Sequence, residues 1–143
     1  MTADKPKHLA LIVFSGDFAK IHYALATAAA ALAISVPVTL FFTMKAIGAL
    51  VGSPERPGWH DLPTGESRSA HAIDTSFGDL GVGQFEELLG ACRELGATFL
   101  ICNMGLRAVG HTLDSLRSDI GYEEGGLVTF LRRAGAEGTI VFV

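Results

Sequence analysis

The stretch Leu9-Ala10-Leu11-Ile12-Val13-Phe14-Ser15-Gly16-Asp17 holds six apolar residues in a row and then breaks on a turn. A strand that shows one face to water alternates polar and apolar positions. An unbroken apolar run is instead expected of a strand covered on both faces, as in parallel sheets held between helices. Ser15-Gly16 supplies a turn, and Asp17 is an N-cap whose carboxylate suits the positive end of a following helix. Strand, turn and buried helix in that order predict an α/β fold.

Working outward, residues 21–42 are almost wholly apolar and would span a bilayer if length alone counted. His22, Tyr23, Thr27, Ser35 and Thr39 interrupt the run, and Val36-Pro37 divides a helical from an extended period. We read a buried helix to about residue 35 and a strand over 36–42, with no membrane insertion. Thr43 is placed to cap a short helix through Leu50. Residues 52–80 then carry Pro54, Pro57, Pro63, Trp59, His60 and His71 among Gly and Ser, without any period. They are expected to form a long irregular loop serving as a lid, a partner-contacting arm or a mobile segment.

Helical spacing returns over residues 81–95, with Phe85, Leu88, Leu89, Cys92 and Leu95 on one face and Gly96 as the stop. Residues 97–102 are a third buried strand, from which Asn103-Met104-Gly105 opens a short helix ending near Gly110. A turn follows over 112–116, then a short extended piece near 120–122, the Gly125-Gly126 turn, a helix through Arg133 and a last strand over 139–143. The alternation predicts a three-layer α/β/α sandwich with a mainly parallel sheet of about five strands and right-handed crossovers, in a single domain over 1–143.

Apolar residues make up 49% of the 143 and charged residues 18%. This balance excludes a disordered chain and suggests apolar surface buried between copies of it. The net charge is -4 and the eleven Lys and Arg are scattered, so nucleic acid is not an expected partner. Two cysteines, with no secretory leader pattern, suggest free thiols in the cytoplasm. Their ten-residue separation is neither a redox nor a zinc spacing, so no metal is assigned. GxGxxG, GxxxxGK[ST] and GxSxG are absent.

Sites in open parallel sheets lie beyond the carboxyl ends of the strands, near a topological switch point. That rule selects Ser15, Gly16, Asp17 and Lys45, then Cys102 with Asn103, Met104 and Gly105, and Gly125-Gly126. Cys102 is the one strong nucleophile among them, and a helix N-terminus behind it would favour the thiolate. It could equally be a small buried hydrophobe, as free cysteines commonly are. Cys92, on the apolar face of its helix, reads as core. His22 and His111 are candidate proton donors or ordinary structural histidines; His60 and His71 are expected in solvent.

Phe14-Ser15-Gly16-Asp17 with Lys20, the Ala28-Ala29-Ala30-Ala31 helix and Val38-Thr39-Leu40-Phe41-Phe42-Thr43 form one half of a pattern. Ala91-Cys92-Arg93-Glu94-Leu95-Gly96, Cys102-Asn103-Met104, and Gly125-Gly126 before Thr129-Phe130-Leu131 form the other. In order and spacing the chain resembles the DsrE/DsrF-like family, outside residues 52–80. The resemblance implies a three-layer fold, a homo-oligomer (a trimer or hexamer), and sulfur relay in which Cys102 carries sulfane sulfur as a persulfide between donor and acceptor proteins. Ser15, Gly16, Asp17, Lys45, Asn103, Met104 and Gly105 would line its pocket, and no organic cofactor is needed. A non-catalytic small-ligand or partner-binding module is the alternative.

Overall fold

A computed structural model describes residues 4–143. Its five strands are β1 (Leu9–Val13), β2 (Val38–Phe42), β3 (Thr98–Cys102), β4 (Tyr122–Gly125) and β5 (Thr139–Phe142). They form one sheet in the order β4-β3-β2-β1-β5, and every neighbouring pair is parallel. The connecting helices are α1 (Phe18–Ala33), α2 (Ala70–Asp79), α3 (Phe85–Glu94), α4 (Asn103–Val109) and α5 (Leu127–Ala134). The α/β/α architecture is the one the strand-helix alternation predicts.

Side-chain alternation along the strands divides the core. Leu9, Leu11 and Val13 join Phe18, Ile21, Leu25, Phe42, Phe85 and Phe99 in the larger cluster, under α1 and α3. Ala10, Phe41, Leu100 and Cys102 point the other way, onto Phe130 and Ala134 of α5. The imbalance follows from topology. From β1 to β4 the chain steps in one direction along the sheet, and from β4 to β5 it returns across it. A right-handed crossover puts its helix on the opposite face when the direction reverses, which leaves α5 alone there. Phe14 and Phe142 beside it remain 46% and 65% exposed, and Ile140, Val128 and Leu131 are exposed too.

The apolar stretch over 21–42 resolves as expected. Asp17 caps α1 by accepting the Lys20 N–H at 3.2 Å. The helix ends before Ser35, which takes a left-handed φ of 63°, and Pro37 precedes β2. Among the described residues no helix is long and apolar enough to cross a membrane.

Residues 52–80 depart from the expected irregular loop. They contain a 3-10 turn, Gly58–Asp61, and α2, capped by Ser69 accepting the Ala72 N–H at 3.1 Å. Trp59 is buried, stacks on Phe85 at 4.6 Å and donates its indole N–H to Glu86 at 2.7 Å. The inner face of α2, Ala70, Ile73 and Asp74 with Phe77 packed on the core, keeps helical spacing, but it is short and a buried carboxylate interrupts its apolar character. Three smaller differences accompany this one. Thr43 precedes a 3-10 helix, Met44–Leu50, without a side-chain capping bond. α3 begins only at Phe85, and Leu95, expected on its buried face, is its C-cap and 54% exposed. The extended piece expected near 120–122 lies further on, as β4, a polar edge strand that ends on Gly125 of the expected Gly125-Gly126 turn.

Candidate functional site

β3 delivers Cys102 to its carboxyl end, where the residue is also the N-cap of α4. The Gly105 N–H donates to Cys102 Sγ at 3.3 Å. An N–H donor stabilises negative charge on sulfur. The closeness of Gly105 has a steric basis: a β-carbon there would lie 2.7 Å from the Met44 nitrogen and 2.8 Å from Thr43 Oγ1, so only glycine lets α4 start this near the end of β2. Asn103 accepts the Met104 N–H through Oδ1 at 2.9 Å, and Met104 is exposed. Across the sheet Cys102 stands in register with Gly125, whose missing β-carbon leaves room for the Thr129 side chain, 3.1 Å from where it would lie. The sulfur itself is enclosed: Cys102 is 1% exposed and packs with Phe41, Leu100 and Phe130.

A separate cavity of about 1070 Å³ opens at the carboxyl ends of β1 and β5. Here the strand order reverses, since β1 is followed on one side by β2 and flanked on the other by β5. The turn after β1 docks on the end of β5 through Phe14 and Ser15 N–H groups donating to the Val143 carbonyl at 2.9 and 3.1 Å. Ser15, Gly16, Asp17 and Lys45 line the cavity, with Phe14, Lys20, Pro63, Val109 and Phe142 among the other walls. Gly16 is required for this approach: a β-carbon on it would meet Lys45 Cβ at 2.9 Å. Met44, also in the wall, holds a left-handed φ of 51°, a conformation that non-glycine residues adopt at some energetic cost.

The structure thus divides the residues selected from the sequence. Ser15, Gly16, Asp17 and Lys45 share the cavity, while Cys102, Asn103, Met104 and Gly105 gather at the start of α4 and are not among its lining residues. Phe14, Phe142 and Pro63 were legible only as strand ends and a loop proline; nothing in their local pattern places them together. His22 is structural, its Nε2 lying 2.7 Å from the Gly83 carbonyl and its ring against Phe77. His71 is exposed, as expected, while His60 is only partly so. Their rings stack at 4.2 Å, and Trp59 meets His60 edge-on at 4.4 Å.

A second feature escaped the sequence altogether. Arg117 is 2% exposed and donates two hydrogen bonds to Glu86, both at 2.7 Å, and two to Asp119, both at 2.8 Å. It ties the first turn of α3 and, through Glu86, Trp59 to the segment before β4. Burial works against the Glu86 charge, yet the bonds from Arg117 and Trp59 hold its carboxyl below the usual range. Among the described residues no group of three or more His, Cys, Asp or Glu is arranged to hold a metal.

No protein-family model matches the chain, and no curated protein does. Among solved structures it is similar to a protein of unknown function from Methanobacterium thermoautotrophicum. The TM-score is 0.62 over 95% of this chain and 98% of that one, at 13% identity, a likeness of fold.

Proposed function

We propose that this protein is a sulfur carrier of the DsrE/DsrF-like kind, accepting and passing on sulfane sulfur as a persulfide of Cys102. The supporting observation is the Gly105 N–H aimed at Sγ at 3.3 Å, a hydrogen-bond donor set on the sulfur that would attack and carry. The Cys102 thiolate attacks the outer sulfur of a donor persulfide R–S–SH. The donor S–S bond breaks, its electron pair leaves with R–S⁻, and Cys102–S–SH forms. Attack on that outer sulfur by an acceptor thiolate returns the thiolate of Cys102. Neither an oxidant nor an organic cofactor enters the exchange.

Because Cys102 is enclosed, transfer calls for a local opening at the carboxyl end of β3. The carrier works as an assembly of identical chains in the cytoplasm, its apolar α5 flank covered by another copy. Polysulfide should add 32 Da increments to Cys102 alone, read by intact-mass and peptide mass spectrometry. Loading of a Cys102→Ser protein to the parent level would overturn the carrier reading. A non-catalytic ligand-binding module is the second reading, and the cavity at β1 and β5 favours it.

A further inference from the structure

We propose that the cavity at the carboxyl ends of β1 and β5 binds a small organic monoanion with a flat apolar body, its charged group held by Lys20 and Lys45 and its body lying against Phe14 and Phe142. The inference stands apart from sulfur transfer, since Cys102 is not among the residues lining that cavity.

Four observations converge. The cavity lies where the strand order reverses, the position at which open parallel sheets take ligands, and its volume of about 1070 Å³ holds a molecule of two fused rings with room to spare. Its walls are mostly apolar, and the Phe14 and Phe142 rings, 5.3 Å apart and tilted by 34°, keep large exposed faces that a flat ligand would cover. Among the described residues, neither Lys20 nor Lys45 has a carboxylate within ion-pairing distance. Asp17, the acidic side chain in the lining, is engaged as the α1 cap.

The same geometry argues against a phosphate. Two lysines and one aspartate leave one net positive charge from the lining side chains, a match for a carboxylate or sulfonate rather than a dianion. Two of the α1 amides that could cradle phosphate oxygens are already used, Phe18 N–H donating to the Pro63 carbonyl at 3.0 Å and Lys20 N–H to Asp17.

Isothermal titration with 2-naphthoate, the neutral 2-naphthamide and 2-naphthyl phosphate at pH 8 tests this. One 2-naphthoate per chain should bind saturably, with the amide weaker by about tenfold or more. A Lys20→Gln/Lys45→Gln double variant should close that gap, Phe142→Ala should weaken both ligands alike, and Cys102→Ser should bind as the parent does. The last result separates this site from the sulfur reading, because a protein that fails to load sulfur can still pass. No saturable 2-naphthoate binding up to about 1 mM, equal affinity for acid and amide, or a clear preference for the phosphate would overturn the proposal. So would a self-association that is lost in Phe142→Ala and excludes 2-naphthoate, since the cavity would then be a contact between copies.

Discussion

Two sulfurs ten residues apart meet different surroundings. Burial pushes the Cys92 thiol up to about 11, and its Sγ–H donates to the Leu25 carbonyl at 3.5 Å. At pH 8 that leaves about one molecule in a thousand as thiolate. Cys102, with the Gly105 amide on its sulfur, should therefore be alkylated by iodoacetamide well ahead of Cys92 in the folded protein. Equal rates by peptide mass spectrometry would contradict the assignment. Cys92→Ala should cost about 1–2 kcal/mol in urea unfolding, through lost packing, and spare sulfur loading. Gly105→Ala tests the close approach of α4 to β2: with a backbone nitrogen in the way the neighbour cannot simply rotate aside, and a loss of about 1–3 kcal/mol is expected. A variant as stable as the parent would show that α4 can shift freely.

The arm over residues 52–80 is held by charge and aromatic stacking, and Trp59, the one tryptophan of the chain, reports on it. Arg117→Met removes four hydrogen bonds while keeping an apolar stem. Glu86 and Asp119 can turn back to water, so the cost should be about 2 kcal/mol rather than that of a fully buried pair, with a shift in Trp59 fluorescence. Acid should loosen the same arm. Burial first, and then the charge of His71, lowers the His60 pKa despite Asp61, Glu86 and Asp74; burial and Arg133 lower that of His8. A base whose pKa is lowered on folding binds more protons when unfolded. Stability from these groups is therefore full above about pH 6.5 and declines as pH falls through that value toward the folded pKa.

A second loss belongs below about pH 4, as Glu86 and Asp119, held down by Arg117, are protonated. Asp74, which burial pushes up, opposes it, because its folded form prefers the proton. Urea midpoints between pH 8 and 5 should fall in the parent and fall less in His60→Gln; a flat profile would refute the histidine contribution.

At the scale of the molecule, three forward crossovers and one return leave the second sheet face with a single helix of eight residues. Val128 and Leu131 on its outer side, with Ile140 next to it, make an apolar flank that a second copy would cover. Sedimentation should show the parent as an oligomer at micromolar concentration without detergent. Val128→Glu/Leu131→Glu should yield a folded monomer, because both side chains are exposed in the single chain and charge there disturbs only a contact between copies. A monomeric parent would remove the assembly from the proposed function.

The doubly covered strands Leu9–Val13 and Val38–Phe42, the Asp17 cap and the Gly96 stop were legible in the linear chain, because an apolar run and a cap are properties of neighbours in sequence. From those, the α/β class and the position of Cys102 at a strand end follow. α2 was not legible, since its short inner face, Ala70, Ile73, Asp74 and Phe77, carries a carboxylate where an apolar residue would mark the stripe, and its place depends on Trp59 stacking with Phe85 from another element. Nor could any local pattern pair Arg117 with Glu86, or bring Phe14 to Phe142. The sequence by itself determined where β2 and β3 end and where α1 and α4 begin. Strand order, which depends on pairing between distant segments and on crossover handedness, was decided only in three dimensions, and it alone put Lys20 and Lys45 in one cavity and the sulfur of Cys102 outside its walls.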